Sequence, residues 1–166
     1  IVLEAENLIP NLSILDTATD MEFAFTKLMM NDQEIKDANI LANYPHLRFI
    51  SLSGNALRRV PWLNKMKSSV YIDLHENSIK ELPEFEEFPD LIKFDLKNNA
   101  LKSIPVLPFP SITTLDLSSN KIKVIVEGAF AQLKSLKTLI LTGNALVKIT
   151  AQMFAGMTKV EMLALD

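Results

Sequence analysis

Cysteine is absent from this sequence, which excludes zinc sites, disulfides and thiol chemistry and leaves the redox compartment open. Histidine is scarce, with only two residues, so acid–base catalysis has few candidates. An excess of positive charge is missing too. The net charge is -3 with the signs interspersed, whereas phosphate-driven nucleic-acid binding wants a basic face. No apolar run reaches the roughly 18 residues that mark a membrane-spanning helix. Membrane attachment is therefore expected only through a part beyond these residues. No basic n-region precedes an apolar stretch at Ile1, so no signal peptide is visible, and a mature or trimmed chain looks the same. Disorder is excluded by a hydrophobic share of 48 % against 22 % charged. A length of 166 residues suffices for one domain with a sizeable buried fraction.

What the chain does have is one pattern, repeated. "LRFISLSGNAL", residues 47–57, carries aliphatic residues at offsets 1, 4, 6 and 11 and an asparagine at offset 9. An amide inside such an apolar frame is costly unless its donors and acceptors are all met. The same frame returns as "SVYIDLHENSI" (69–79), "LIKFDLKNNAL" (91–101), "ITTLDLSSNKI" (112–122) and "LKTLILTGNAL" (136–146). It is preceded by "FTKLMMNDQEI" (25–35), with Gln33 in the amide position, and followed by the partial copy "VEMLALD" (160–166). The starts are 22, 22, 22, 21, 24 and 24 residues apart.

L-x-x-L-x-L-x-x-N-x-L at a period of 20 to 29 residues is the signature of the leucine-rich repeat, and residues 25–166 resemble that family. The resemblance implies an α/β solenoid: a right-handed horseshoe with a parallel concave β-sheet and a convex side of extended, 3₁₀ and short helical segments. It implies a structural use for Asn55, Asn77, Asn99, Asn120 and Asn144, with Gln33 in line, as an amide ladder fastening successive turns. One departure is Ser69, where an aliphatic residue belongs; Val70 is expected to compensate poorly and leave that copy looser.

Within each copy, residues alternate apolar and polar around offsets 3 to 7, as in a strand with one buried face. A single such strand cannot bury its apolar side, but stacked copies can. Prolines in register at 61, 83 and 105 remove donors from the returns and fix φ, so extended or 3₁₀ backbone is expected there. The later copies each place a phenylalanine (Phe130, Phe154) three residues before Leu133 or Met157, enough for about one helical turn packed inward. Residues 1–24 fit the frame badly and are read as a capping segment over the first strand's open edge. Because the last copy is truncated, the chain is expected to be a fragment or to continue.

Offsets 3, 5 and 7 face the concave side. They give the rows Lys27, Phe49, Tyr71, Lys93, Thr114, Thr138, Met162; Met29, Ser51, Asp73, Asp95, Asp116, Ile140, Ala164; and Asn31, Ser53, His75, Lys97, Ser118, Thr142, Asp166. A surface of that size suits a protein partner and is too open for a small-molecule substrate. On it, Phe49, Tyr71, His75, Lys93 and Lys97 form an aromatic and basic patch of the composition enriched at interface anchors. With Asp73 and Asp95 they are the candidate partner-binding residues. The acid column Asp73, Asp95, Asp116 repels itself and invites a cation, but "LDL" is an ordinary version of the family repeat, so no metal and no cofactor are expected. A Ser-His-Asp set from Ser51 or Ser53, His75 and Asp73 lacks a strained nucleophile turn and an oxyanion hole, so no catalytic residue is assigned.

Two classes remain. One is an extracellular recognition module: part of a receptor ectodomain, an adhesion protein or a secreted innate-immunity factor. The 24-residue copies resemble those of Toll-like and other cell-surface leucine-rich proteins, and Asn11-Leu12-Ser13 is a glycosylation sequon. The other is a cytoplasmic scaffold or regulatory subunit, favoured by the 22-residue copies and the absence of cysteine. The first is preferred.

Overall fold

The computed structural model describes the backbone of residues 1–19 and 22–165 and the side chains of residues 1–13 and 25–165. Asp166, which ends the third concave row, lies outside the described residues.

The repeats build one eight-stranded sheet. β1 (Leu12–Thr19) pairs antiparallel with β2 (Glu22–Met29), and every later strand is parallel to its neighbour. These are β3 (Phe49–Ser51), β4 (Tyr71–Asp73), β5 (Lys93–Asp95), β7 (Thr114–Asp116), β9 (Thr138–Ile140) and β10 (Met162–Ala164). The register is that of the sequence frame: Lys27, Phe49, Tyr71, Lys93, Thr114, Thr138 and Met162 lie side by side. Offset 4 points the other way into a continuous core. Leu28, Ile50, Ile72, Phe94, Leu115 and Leu139 are each at most 1 % exposed. Each such burial contributes about 1.5–3 kcal/mol. The parallel crossovers coil right-handed.

Each strand is short because a turn follows at once. Offset 8 has left-handed backbone in every copy: Asp32 (φ 56), Gly54 (64), Glu76 (54), Asn98 (54), Ser119 (53) and Gly143 (69). This turn swings the next residue's amide inward. Glycine adopts it freely at 54 and 143, while the other residues carry strain. Asn98 therefore sits in a demanding position although its side chain is exposed.

The convex side returns through 3₁₀ turns at Asn39–Asn43, Pro61–Lys65 and Ala151–Phe154, and through a parallel pair, β6 (Ser103–Ile104) with β8 (Val124–Ile125). Phe130 and Phe154 stack with centroids 6.3 Å apart. A second cluster joins Phe109 edge-on to Phe85 (5.0 Å), Phe88 (5.4 Å) and Phe94 (6.0 Å). Ser69 departs from its expectation. It is fully buried in line with the aliphatic column, and its hydroxyl donates to the Leu47 carbonyl at 2.7 Å, so the polar group is satisfied rather than loosening the repeat.

At the N-terminal end, Leu3, Leu8 and Leu12 are buried in the common core. The backbone at Ile1 and Leu3 bonds to that of residues 34–37. β2 starts at Glu22, so the first strand reaches back beyond residue 25, and β1 covers its outer edge.

Candidate functional site

The asparagines after the strands show what holds the concave sheet in register. In Asn99, Nδ2 donates to the Leu96 and Lys97 carbonyls of its own turn (3.1 and 3.3 Å) and to Leu74 O one repeat earlier (2.9 Å). Its Oδ1 accepts from Ile79 N–H at 3.0 Å. Asn55, Asn77, Asn120 and Asn144 likewise accept from the preceding repeat, from Ile35, Leu57, Leu101 and Ile122, at 2.9–3.0 Å. Each amide thus ties two turns with bonds no aliphatic residue supplies. Gln33 does not join this ladder. Its side chain is exposed and, among the described residues, donates to the Asn31 carbonyl two residues back (3.0 Å).

The strand ends are fixed by carboxylates. Oδ1 of Asp73, Asp95 and Asp116 accepts from the N–H two residues on, at His75 (3.2 Å), Lys97 (3.1 Å) and Ser118 (2.9 Å). These are Asx turns, which give the acid column a structural use. Asn31 does the same for the next repeat, its Oδ1 accepting from Ser53 N–H and Ser51 Oγ.

On this frame Phe49 is 41 % exposed, Tyr71 and His75 are half-buried, and Lys97 is exposed. Lys93 lies with its Nζ 5.3 Å from the centroid of the Tyr71 ring, within cation–π range. His75 Nδ1 stands 2.6 Å from Asp73 Oδ1. Asp73 differs from its sequence reading as a contact residue: it is only 8 % exposed, shielded by Tyr71 and His75 on either side of it. Burial lowers the His75 pKa, but the hydrogen bond to Asp73 and the charges of Asp73, Asp95 and Glu76 outweigh it, and the imidazole stands above its ordinary value. Burial, with the charges of Asp73 and Asp95, raises the Tyr71 phenol. Asp95 is also raised, first by burial and then by Asp116 and Asp73, against the lowering effects of the Lys97 N–H and His75.

Phe49, Tyr71, Asp73 and His75 border a hollow of about 440 Å³ whose walls also include Lys27 and Met29, while Lys93, Lys97 and Asp95 lie outside it. Met29 (50 % exposed) and Phe25 (38 %) are further apolar groups on this face, beyond the five patch residues expected from the sequence. The strand's alternation was the available signal, since residues 25, 27 and 29 share a face. The Ser-His-Asp set does not assemble: the Ser51 hydroxyl bonds to Asn31 (2.8 Å) and Asp73 (3.4 Å), with no bond to His75. Asn11 is exposed at the end of a short 3₁₀ turn, its Nδ2 donating to Asn7 O at 2.8 Å.

A family model described as leucine rich repeat matches residues 110–166. Those residues carry the leucine-rich repeat, and the sheet continues the same frame through the earlier copies. Solved structures share the fold. A complex of TLR13 with ssRNA13 superposes at a TM-score of 0.69 and 26 % identity, over 85 % of this chain and 21 % of that one. The leucine-rich-repeat ectodomain of the receptor kinase SOBIR1 from Arabidopsis thaliana gives 0.63 at 20 % identity, over 78 % and 76 %. No curated protein matches by sequence. The repeats thus span about a fifth of the TLR13 chain and have the horseshoe fold of receptor ectodomains. Among the described residues no helix is long and apolar enough to cross a membrane.

Proposed function

We propose that this leucine-rich-repeat chain is a non-catalytic protein-binding module of an extracellular recognition receptor, adhesion protein or secreted innate-immunity factor, and that its concave face carries the binding. The observation behind this reading is the hollow bordered by Phe49, Tyr71 and His75, with Met29 and Phe25 exposed on the same face. Apolar groups of this size are left open where no repeat needs them for its core, and half-buried rings beside cations give an interface both area and orientation. Lys93 and Lys97 are available to a partner's carboxylates.

The TLR13 neighbour was solved with single-stranded RNA. The acid row Asp73, Asp95, Asp116 runs along the middle of the sheet here, which opposes a phosphate backbone and favours a protein. The likeness to receptor ectodomains supports the extracellular assignment, with Asn11 as its glycosylation site. Mass spectrometry of the native protein that finds Asn11 unmodified counts against that compartment. The site itself is tested with a photo-crosslinking residue at position 49 or at the exposed convex Glu127. The partner is expected to be captured from position 49 alone, and capture only from position 127 moves the interface to the convex side.

A further inference from the structure

The sheet centre holds a second arrangement, which shares His75 and Asp73 with the hollow. His75, Asp73 and Asp95 come from two adjacent strands and the turn after the first, and one donor atom of each lies within 4.8 Å of the other two. Among the described residues this is the one such trio of histidine, cysteine or carboxylate groups. Absence of cysteine excludes thiolate zinc sites, not those built from imidazole and carboxylate. Stacking at strand spacing supplies instead an imidazole nitrogen and two carboxylates, a set that zinc accepts in three-ligand sites.

Each acid keeps one lightly used oxygen, since Oδ1 of both accepts the N–H two residues on. Asp73 Oδ1 faces the imidazole, and Asp73 Oδ2 has only long contacts of 3.4 Å to the Ser51 and Tyr71 hydroxyls. Asp95 spends Oδ1 on the Lys97 N–H, and among the described residues its Oδ2 takes no hydrogen bond. No lysine among the described residues comes within ion-pair distance of either acid, and Lys93 lies over the Tyr71 ring instead. The local charge is therefore two carboxylates against one imidazole, with a third acid, Asp116, beside Asp95.

We propose that Asp73, His75 and Asp95 form a zinc(II) site on the concave sheet, with three protein donors and one position open to solvent. A nitrogen among so few donors favours zinc over calcium, which takes six to eight oxygens. The separation of 2.6 Å between His75 Nδ1 and Asp73 Oδ1 is that of a hydrogen bond, with one proton between the two atoms. Two ligands of one tetrahedral zinc stand roughly 3.3 Å apart, so the metal replaces that proton and the ring rotates slightly outward. The His75 side chain is 35 % exposed and free to make that rotation. Because the metal displaces a proton, affinity falls as the solution is acidified.

The test is calorimetric titration of the purified chain with zinc chloride alone, in a non-coordinating buffer at neutral pH. It is repeated on His75→Ala and Asp95→Asn after each shows the wild-type circular dichroism. A 1:1 complex in the micromolar range is expected, weakened at least about tenfold in each variant. Cobalt(II) in place of zinc should give the intense visible bands of a four-coordinate site, and calcium should give no heat. No 1:1 zinc binding, or unchanged binding in either variant, overturns the site. Should His75→Ala lose its fold, Asp95→Asn, which keeps the side chain's shape, decides alone. Since no partner protein enters the titration, its outcome is independent of the function proposed above.

Discussion

At the scale of the residue, the asparagine ladder and the His75–Asp73 pair make separate predictions. Asn99 satisfies three carbonyls and one N–H in a buried turn. Asn99→Ala strands those groups and should cost on the order of 1–3 kcal/mol, seen as a lower denaturation midpoint. Asn98 would be a neutral control if its exposure were the whole story, but its φ of 54 means that alanine there costs about 1 kcal/mol. Lys97→Ala, exposed and outside the ladder, is the proper control, and equal midpoints for it and Asn99→Ala would contradict the assignment. His75 has a folded pKa above its ordinary 6.5. Its contribution to stability is therefore complete below 6.5 and lost as pH rises through the folded value. Wild type and His75→Gln, unfolded in denaturant from about pH 5.5 to 9, should differ most at the acid end and converge toward the alkaline one. A difference independent of pH would show that the pair is only a neutral hydrogen bond.

At the scale of the element, the strands and the extended or 3₁₀ course of the returns were legible, and the details of shielding and capping were not. Strand register followed from a period of two inside a period of 21 to 24, because one alternation repeated in every copy leaves a single stacking that buries offset 4 throughout. The pairing of β1 with β2 was hidden because residues 1–24 carry no copy of the frame against which to align them. Shielding of Asp73, Ser51 and Ser53 on the nominally outward face was hidden as well. Alternation assigns a side but says nothing of how larger neighbours and Asx turns cover small polar groups. Nor did the frame mark the cluster of Phe85, Phe88, Phe94 and Phe109, whose members come from a strand and two irregular returns. Phe109 touches the other three rings and is fully buried. Phe109→Ala should cost about 3–5 kcal/mol, more than most single substitutions in the solenoid. A loss below about 1 kcal/mol in equilibrium unfolding would mean that the returns repack around the gap.

At the scale of the whole molecule, the repeats form a nearly one-dimensional body in which each copy contacts its neighbours, so a broad face is presented without any copy specialised for it. Specialisation lies in the side chains at offsets 3, 5 and 7. Between β2 and β5 the first row is aromatic and basic (Lys27, Phe49, Tyr71, Lys93), whereas Thr114 and Thr138 continue it in β7 and β9. That asymmetry was visible in the sequence as a list, while the hollow it encloses depended on the geometry of the sheet. The partner's affinity for Tyr71→Ala measures the concave-face claim most directly. Tyr71 packs on neither the core column nor the ladder, so the variant should unfold at nearly the wild-type midpoint. Its binding should weaken by about 2 kcal/mol or more, roughly 30-fold in Kd, with Glu127→Ala unchanged. Wild-type affinity in Tyr71→Ala, together with weakened binding in Glu127→Ala, would contradict the account and place recognition on the convex side.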